Sequence, residues 1–171
     1  HYLSGASKSV NWTGEPHATI HLKLDWDASI TLLTGAPEIG QGSTTVITQC
    51  VAEVLGLDMT RIQSITSDSK VTPKDNGAYS SRITFMVGNA AINAANNLKQ
   101  VLIEAAARKL DCKPEDVECL GEVYRAASQD EGMTFEEVVL AALEGSGTIT
   151  VKGNYDTIPE SHGTKKYRGG A

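Results

Sequence analysis

A long apolar stripe in the second half of the chain constrains the fold most strongly. Small and aliphatic residues recur there at steps of three and four: Ile83, Val87, Ala90, Ala91, Ala94, Leu98, Val101, Leu102 and Ala105. This spacing predicts one helix that begins near Ser80 or Ser81 and ends at about Leu110. Because the stripe contains several alanines and Gly88, we expect the helix to pack closely against a neighbouring sheet.

Strand patterns precede this helix. Residues 17–25 alternate so that one face carries Ala18, Ile20, Leu22 and Leu24, which predicts a half-buried strand. Residues 30–34 are the expected partner strand, and the polar turn between the two is typical of a hairpin. A first helix is expected over 44–55, followed by a short strand over 61–67.

The C-terminal part of the chain continues with smaller elements. A hairpin is expected over 117–127, a third helix over 134–144 and a final strand over 148–153. No repeat or low-complexity linker divides the sequence, so we predict a single domain over residues 1–171. The order of elements predicts an α+β fold of two layers, with helices packed on a mixed β-sheet.

Charge and cysteine content argue against several classes of function. The formal net charge is −6, whereas nucleic-acid binding depends on clustered Lys and Arg. The three cysteines form no CxxC pair and no Cys/His array, so no metal site is predicted. The sequence opens with no signal peptide and has no apolar run long enough to span a bilayer. We therefore expect a cytoplasmic protein without nucleic-acid or membrane partners.

The segment from Glu38 to Thr45 joins a strand to a helix through Gly40, Gln41 and Gly42. The first amides of a helix lack intrahelical partners and carry the positive end of its dipole. A free helix N-terminus at this junction would therefore favour a bound phosphate. Glycine would let such a ligand approach the backbone closely.

A purely structural interpretation of this junction also stays open. In that case the glycines only turn the chain, and Ser43 or Thr44 caps the helix. Glu38 lies beside the expected anion site. It is either a general base or, as is more common for such a carboxylate, a surface group.

A second polar junction, from Asn76 to Arg82, precedes the long helix. If the two helices lie side by side, both starts fall on one edge of the sheet and can hold a multiply charged ligand together. The serine hydroxyls would add donors, although ordinary capping competes with this interpretation. Arg82 is expected either to pair with a phosphate or to reach solvent. The candidate cofactor-binding residues are therefore Gly40, Gln41, Gly42, Ser43, Ser80 and Ser81.

These segments resemble the molybdenum-binding large subunit of the xanthine oxidase family of molybdenum hydroxylases. The resemblance lies in Glu38-Ile39-Gly40-Gln41-Gly42 before a helix, and in Tyr79-Ser80-Ser81-Arg82 with Gly88-Asn89-Ala90. Within the family, residues 1–8, 12–17 and 82–90 look most like the alpha subunit of 4-hydroxybenzoyl-CoA reductase. The likeness covers nearly the whole chain, as one internal part of a longer subunit.

The resemblance implies a molybdopterin dinucleotide with molybdenum, in the cytosine form that is usual in bacteria. It also implies iron–sulfur clusters and FAD, carried by an iron–sulfur subunit and a flavin subunit that join the remainder of the large subunit. The implied reaction belongs to aromatic degradation and removes the phenolic hydroxyl of 4-hydroxybenzoyl-CoA, an aromatic acyl-CoA substrate. Gln41 matches the glutamine whose loop contacts the molybdopterin, and Ser80 and Ser81 match the segment near molybdenum.

The catalytic glutamate of the family lies in a later Gly-Glu-Pro segment. Gly14-Glu15-Pro16 occupies the wrong place relative to the Gly-Gln-Gly loop, so Glu15 is interpreted as a surface residue. No catalytic residue is assigned, and the chain is expected to be an excised, inactive part of a longer polypeptide. Three alternatives stay open: a domain of an oxidative hydroxylase acting on a purine, aldehyde or other heteroaromatic, a stand-alone phosphate- or nucleotide-binding module, and a structural domain.

Overall fold

The computed structural model describes residues 16–79, 81–129 and 132–156. Within these ranges the α-helices are α1 (Ser43–Leu55), α2 (Gly88–Leu110) and α3 (Phe135–Leu143). The strands are β1 (Ala18–Leu24), β2 (Ile30–Thr34), β3 (Ile62–Thr66), β4 (Val117–Leu120), β5 (Val123–Ala126), β6 (Gly132–Thr134) and β7 (Ile149–Tyr155). The sequence predicts all of them except β6, whose 3 residues are too few to show alternation. None of the described helices is long and apolar enough to cross a membrane.

One four-stranded sheet supports α1 and α2 and has the order β3-β2-β1-β7. β1 pairs antiparallel with β2 and with β7, whereas β2 and β3 run parallel. The register places Leu22 opposite Leu32 and Val151, so the apolar faces of three strands coincide. A second sheet has the order β4-β5-β6. The prediction of an α+β fold with helices on a mixed sheet is confirmed.

α2 packs on this sheet through the face that the apolar stripe predicts. Leu98 and Leu102 are fully buried in one cluster with Ile20 and Leu22 of β1. Burying each of these aliphatic side chains stabilises the fold by roughly 1.5–3 kcal/mol. Val101 is the exception in the stripe, because it is only half-buried.

α2 and β7 approach each other too closely for a side chain to lie between them. A Cβ atom built on Gly153 would lie 2.2 Å from the Ala90 carbonyl oxygen and 2.2 Å from the Ala94 backbone nitrogen. Both are backbone atoms of a helix and cannot turn aside as a flexible side chain can. The close packing predicted from the alanines of α2 is therefore found opposite Gly153.

Two exposed asparagines of α2 reach the outer strand of the sheet. Asn97 Nδ2 donates to the Lys152 carbonyl oxygen, and Asn93 Nδ2 donates to the Asn154 carbonyl oxygen, both at 2.8 Å. The donors are four positions apart on one helix face, and the acceptors are two positions apart on one side of a strand. The spacing of the donors along the helix matches the spacing of the acceptors along the strand, so α2 is bonded to β7 at both positions.

The segment before α2 departs from the regular helix that the sequence predicts. Ile83–Val87 forms a π-helical turn, in which the Gly88 amide donates to the Ile83 carbonyl oxygen. Asn89 Nδ2 donates to the Phe85 carbonyl oxygen, and a side chain that enters the backbone ladder distorts a helix locally. The apolar stripe predicts a helix here but contains no signal for this side-chain bond.

Candidate functional site

β2 and β3 end side by side at one edge of the sheet. Thr34 pairs with Thr66 at the end of the parallel register, and the Ser67 amide donates to the Thr34 carbonyl oxygen at 3.2 Å. The chain then passes from β2 to α1 through residues 35–42, and from β3 towards α2 through residues 67–82. Both polar junctions therefore start at the carboxyl ends of parallel strands, where ligands of open sheets commonly bind.

The two loops also touch each other. A Cβ atom on Gly35 would lie 2.1 Å from the Pro73 carbonyl oxygen and 3.0 Å from the Asp75 backbone nitrogen. We call the surface formed by residues 35–43, 73–79 and 81–82 the junction surface. It carries every candidate residue that the structure describes: Gly40, Gln41, Gly42, Ser43 and Ser81. The remaining candidate, Ser80, lies outside the described residues.

The helices that follow the two loops run side by side in the same direction. A Cβ atom on Gly88 would lie 3.7 Å from Cys50 Sγ. Further along both helices, Lys99 Nζ donates to the Val54 carbonyl oxygen at 3.1 Å. The second contact lies closer to the C-terminus of both helices than the first, so the two helices are parallel. The start of α1 and the π-helical turn before α2 therefore lie at the same end of this helix pair.

The Gly-Gln-Gly loop is exposed and left-handed at both glycines. The φ angles are 92° at Gly40 and 76° at Gly42, and a Cβ atom at either position would meet nothing within 4 Å. The side-chain amide of Gln41 bonds within the loop, because Oε1 accepts from the Ile39 amide at 2.7 Å and Nε2 donates to the Pro37 carbonyl oxygen at 2.9 Å. The backbone is thus open to a ligand, while Gln41 braces the loop.

The helix N-terminus that the sequence predicts to be free is occupied by Glu38. Glu38 Oε1 accepts from the amides of Gly40 and Gly42 at 2.8 and 3.1 Å, and Oε2 accepts from the Thr44 amide at 3.0 Å. The Thr44 amide, followed by the amides of Gly42 and Gly40 and the Ser43 hydroxyl, lowers the pKa of Glu38 from 4.5 to about 2. The prediction is wrong because the chain supplies its own anion to α1.

The two serines that the structure describes have different surroundings. Ser43 is buried, and its hydroxyl shares its proton between Glu38 Oε2 at 3.1 Å and the Pro37 carbonyl oxygen at 3.2 Å. Ser81 is exposed and has a φ angle of 55°, which is uncommon for a residue with a side chain. Ser43 therefore shapes the loop, whereas Ser81 presents its side chain at the junction surface.

Arg82 neither reaches solvent nor stands free for a phosphate, so both expectations for it are wrong. Its side chain is buried, and Nη1 lies 3.0 and 2.9 Å from the two carboxylate oxygens of Asp75. Nη1 also donates to the Gly77 carbonyl oxygen at 3.2 Å, and Nη2 donates to the His17 carbonyl oxygen. The guanidinium thus ties the second loop to the start of β1.

Other reactive groups do not form a second site among the described residues. Burial raises the pKa of the Cys50 thiol and of the Cys119 thiol, which disfavours the nucleophilic thiolate. Within the described ranges, no three His, Cys, Asp or Glu side chains are grouped so that they could hold a metal ion. The junction surface is therefore the main candidate.

Comparison with known proteins assigns the chain to a family. The family described as "Molybdopterin cofactor-binding domain" matches residues 2–170. The chain belongs to this family. It is thus a cofactor-binding domain of the kind found in xanthine oxidase-family molybdenum hydroxylases, as the resemblance implies.

Two curated relatives of the molybdopterin cofactor-binding domain are partial matches. A putative xanthine dehydrogenase molybdenum-binding subunit from Escherichia coli strain K12 is 41% identical over 101 residues, which is 58% of this chain and 13% of the relative. The gamma subunit of the 6-hydroxypseudooxynicotine dehydrogenase complex from Paenarthrobacter nicotinovorans is 31% identical over 112 residues, 66% of this chain and 14% of the relative. The chain therefore matches about one seventh of their length.

Solved structures share the fold of this molybdopterin cofactor-binding domain. Quinoline 2-oxidoreductase from Pseudomonas putida 86 superposes with a TM-score of 0.71 and 25% identity, covering 82% of this chain and 19% of the other. A reconstituted CO dehydrogenase from Oligotropha carboxidovorans superposes with a TM-score of 0.77 and 22% identity, covering 83% of this chain and 18% of the other. The latter identity shows the fold alone.

The junction surface fits a molybdopterin cofactor at one place and restricts it at another. The open space beside Gly40 and Gly42 allows a flat or charged group to contact the backbone directly. In contrast, the Gly42 and Thr44 amides at the start of α1 already bond to Glu38. A cofactor can therefore lie against the glycines without taking the helix end.

Sequence reasoning missed the roles of Glu38 and Asp75. Glu38 reaches Thr44, six positions away, and this spacing differs from the capping box in which a hydroxyl residue precedes a glutamate by three. Asp75 lies in a polar loop without periodicity. The Asp75 carboxylate and the Arg82 guanidinium are seven positions apart, but no local pattern shows that this pair is buried.

Proposed function

We propose that the chain binds molybdopterin dinucleotide at the junction surface, as one domain of the large subunit of a molybdenum-dependent oxidoreductase. The observation that carries the proposal is the contact of Gly35 with Pro73 and Asp75 between the two strand-to-helix loops, both of which start at the same edge of the sheet. We assign the binding role to Gly40, Gln41, Gly42, Ser43, Ser80 and Ser81. We also propose that residues 1–171 form a single domain.

The chain contributes binding and orientation. The bound cofactor would supply the redox chemistry through its molybdenum. Gly40 and Gly42 would let it contact the backbone, Gln41 would hold the loop through its bonds to Ile39 and Pro37, and Ser81 would offer a hydroxyl. We assign no catalytic residue to this chain, and we expect it to be inactive alone.

Two reactions are candidates for the whole enzyme. Oxidative hydroxylation of a heteroaromatic compound is favoured by the names of the relatives, which include a xanthine dehydrogenase subunit and a nicotine 6-hydroxylase large subunit. Reductive dehydroxylation of 4-hydroxybenzoyl-CoA to benzoyl-CoA is favoured by the sequence resemblance, in residues 82–90 among others. We give the oxidative reaction first place, because named relatives support it.

We further propose that the rest of the large subunit, an iron–sulfur subunit and a flavin subunit assemble with this domain in the cytoplasm. The matched relatives include subunits of complexes. A groove of about 800 Å³ lies between the C-terminal half of α1 and Ile92 of α2, away from the junction surface. Its walls include apolar side chains that a covering segment would bury: Cys50, Val54, Leu57, Met59 and Ile92.

Molybdenum analysis of the intact complex tests the binding role. Gln41→Ala removes both bonds of the Gln41 amide and should lower the molybdenum content per subunit. Gln100→Ala is the matched control, because Gln100 is exposed on α2, outside both the loop and the groove. Equal metal content and equal turnover in Gln41→Ala and wild type would remove Gln41 from the site. Wild-type complex without molybdenum would favour the independent nucleotide-binding module.

Substrate assays on the molybdenum-containing wild-type complex separate the two reactions. Oxidation of a purine or nitrogen heteroaromatic with an electron acceptor would support the first candidate. Reduction of 4-hydroxybenzoyl-CoA with a low-potential donor would support the second. The predicted cytosine dinucleotide is checked by acid release of the nucleotide from the cofactor.

A further inference from the structure

The carboxylate of Glu38 is surrounded by donors from its own loop. Oε1 accepts from the amides of Gly40 and Gly42, and Oε2 accepts from the Thr44 amide and the Ser43 hydroxyl, all between 2.8 and 3.1 Å. An ionised carboxylate has about four acceptor positions. Those of Glu38 are filled, although the side chain itself is exposed.

The bonded amides lie on both sides of Gln41. Gly40 and Gly42 are both left-handed, so the chain reverses sharply between Ile39 and Ser43. One carboxylate that accepts from Gly40, Gly42 and Thr44 holds the two glycines and the first turn of α1 as a unit. Charge-assisted bonds of this kind are roughly twice as strong as neutral ones.

We propose that Glu38 is a positioning residue that holds the Gly-Gln-Gly loop in its binding shape and keeps the phosphates of the ligand away from the start of α1. This inference rests on the proposed function, because it concerns how the same surface receives the cofactor. The ligand then contacts the open side of Gly40 and Gly42, where a Cβ atom would meet nothing within 4 Å. The helix dipole acts on the carboxylate of Glu38 and stabilises the loop.

A competing arrangement makes the opposite prediction. If a phosphate of the ligand displaced Glu38 from the amides of Gly42 and Thr44, the carboxylate would be a competitor for the site. Removing it would then leave cofactor binding unchanged or make it tighter. If Glu38 positions the loop, removing it weakens cofactor binding, and a small carboxylate added to the solution restores it.

The experiment uses the intact subunit in its complex with three variants. Glu38→Ala opens a carboxylate-sized space, and Glu38→Gln keeps the size but puts an amide nitrogen against backbone donors. Glu104→Ala is the control and removes another exposed glutamate, on α2 and outside the groove. Hydrogen exchange of the peptide over residues 38–46 reports the loop, and molybdenum content reports the cofactor. The peptide over α3 reports whether each variant is folded. Samples are compared in acetate and in chloride of equal ionic strength.

We expect exchange in residues 38–46 to be about tenfold faster or more in Glu38→Ala, since a bond to a charged group contributes roughly 1.5–3 kcal/mol. Molybdenum content should fall in Glu38→Ala and Glu38→Gln and stay unchanged in Glu104→Ala. Acetate should slow the exchange and raise the metal content of Glu38→Ala, and chloride should do neither. Rescue by acetate separates positioning from a general loss of stability.

Two results would overturn the inference. One is unchanged loop exchange in both Glu38 variants, which means that Glu38 does not hold the loop. The other is equal or higher molybdenum content in Glu38→Ala, which supports displacement by a phosphate. A wild-type complex that contains no molybdenum would overturn the proposed function and the claim about phosphates. Hydrogen exchange of residues 38–46, measured in acetate and in chloride, would still decide whether Glu38 holds the Gly-Gln-Gly loop.

Discussion

Arg82 and Asp75 form an ion pair that is almost completely removed from solvent. The side chains are 0% and 6% exposed, and Arg82 Nη1 lies 3.0 and 2.9 Å from the two carboxylate oxygens of Asp75. Nη1 also donates to the Gly77 carbonyl oxygen, and Nη2 donates to the His17 carbonyl oxygen. The pair therefore connects the second loop of the junction surface to the first strand of the sheet.

Removing the carboxylate of this pair should destabilise the protein severely. Asp75→Ala leaves a buried guanidinium without its counter-charge, which costs about 3–5 kcal/mol. Urea unfolding followed by circular dichroism measures the free energy of unfolding. Glu144→Gln, which breaks the exposed pair of Glu144 with Lys109, is the control and should leave the midpoint almost unchanged. A small effect of Asp75→Ala would mean that water reaches Arg82.

Two glycine substitutions should have opposite effects. Gly153→Ala places a Cβ atom 2.2 Å from backbone atoms of Ala90 and Ala94, so α2 and β7 must separate, at a cost of about 1–3 kcal/mol or more. Gly88→Ala places it 3.7 Å from Cys50 Sγ, an ordinary contact, within a helix. It should stabilise the protein by about 0.5–1 kcal/mol. Thermal unfolding of both variants checks the pair, and equal midpoints would contradict the packing described.

The Glu38 carboxylate should make the stability of the protein vary with pH in the acid range but not near neutral pH. Its pKa is lowered from 4.5 to about 2 by the amides of Thr44, Gly42 and Gly40 and the Ser43 hydroxyl. The stabilisation is therefore fully present above the unfolded value of 4.5 and is lost as pH falls through the folded value. Melting temperatures of wild type and Glu38→Gln should differ by a constant amount above about pH 6 and converge in acid. Convergence already near neutral pH would contradict the lowered pKa.

Asn97 should contribute to stability through its bond to the Lys152 carbonyl oxygen. Asn97→Ala gains up to about 0.7 kcal/mol from helix propensity but loses a hydrogen bond of about 0.5–1.5 kcal/mol. Asn96→Ala is the matched control, because Asn96 is exposed on the same helix and gains the same propensity. We expect Asn97→Ala to have the lower free energy of unfolding in denaturant titrations. If both variants are stabilised equally, the bond contributes nothing.

Most of the architecture could be predicted because its signals are local. Alternation in β1 and β2 and the three- and four-residue steps in α2 each describe one face of one element. The mixed sheet followed from the order of these elements. β6 and the π-helical turn could not be predicted, because β6 is short and the turn is accompanied by a side-chain bond from Asn89 to Phe85 that the apolar pattern does not show.

The adjacency of the two loops was predictable, but the charged interactions around them were not. The adjacency of the two loops follows from parallel strands, whose ends share an edge. In contrast, the partners of Glu38 are backbone amides, which every sequence contains, so residue types do not reveal them. Arg82 bonds to the carbonyl oxygen of His17, 65 positions away. The cofactor-binding role of the candidate residues therefore stays a prediction.

The bonds from Asn93 and Asn97 to β7 also affect the edge at which another strand can pair with this sheet. The carbonyl groups of Lys152 and Asn154 already accept bonds from α2, which makes this strand edge a poorer template for another chain. At the opposite edge, β3 has only β2 as a neighbour within the described ranges. An added strand, whether from a larger assembly or from an aggregating copy, would therefore attach more readily beside β3 than beside β7.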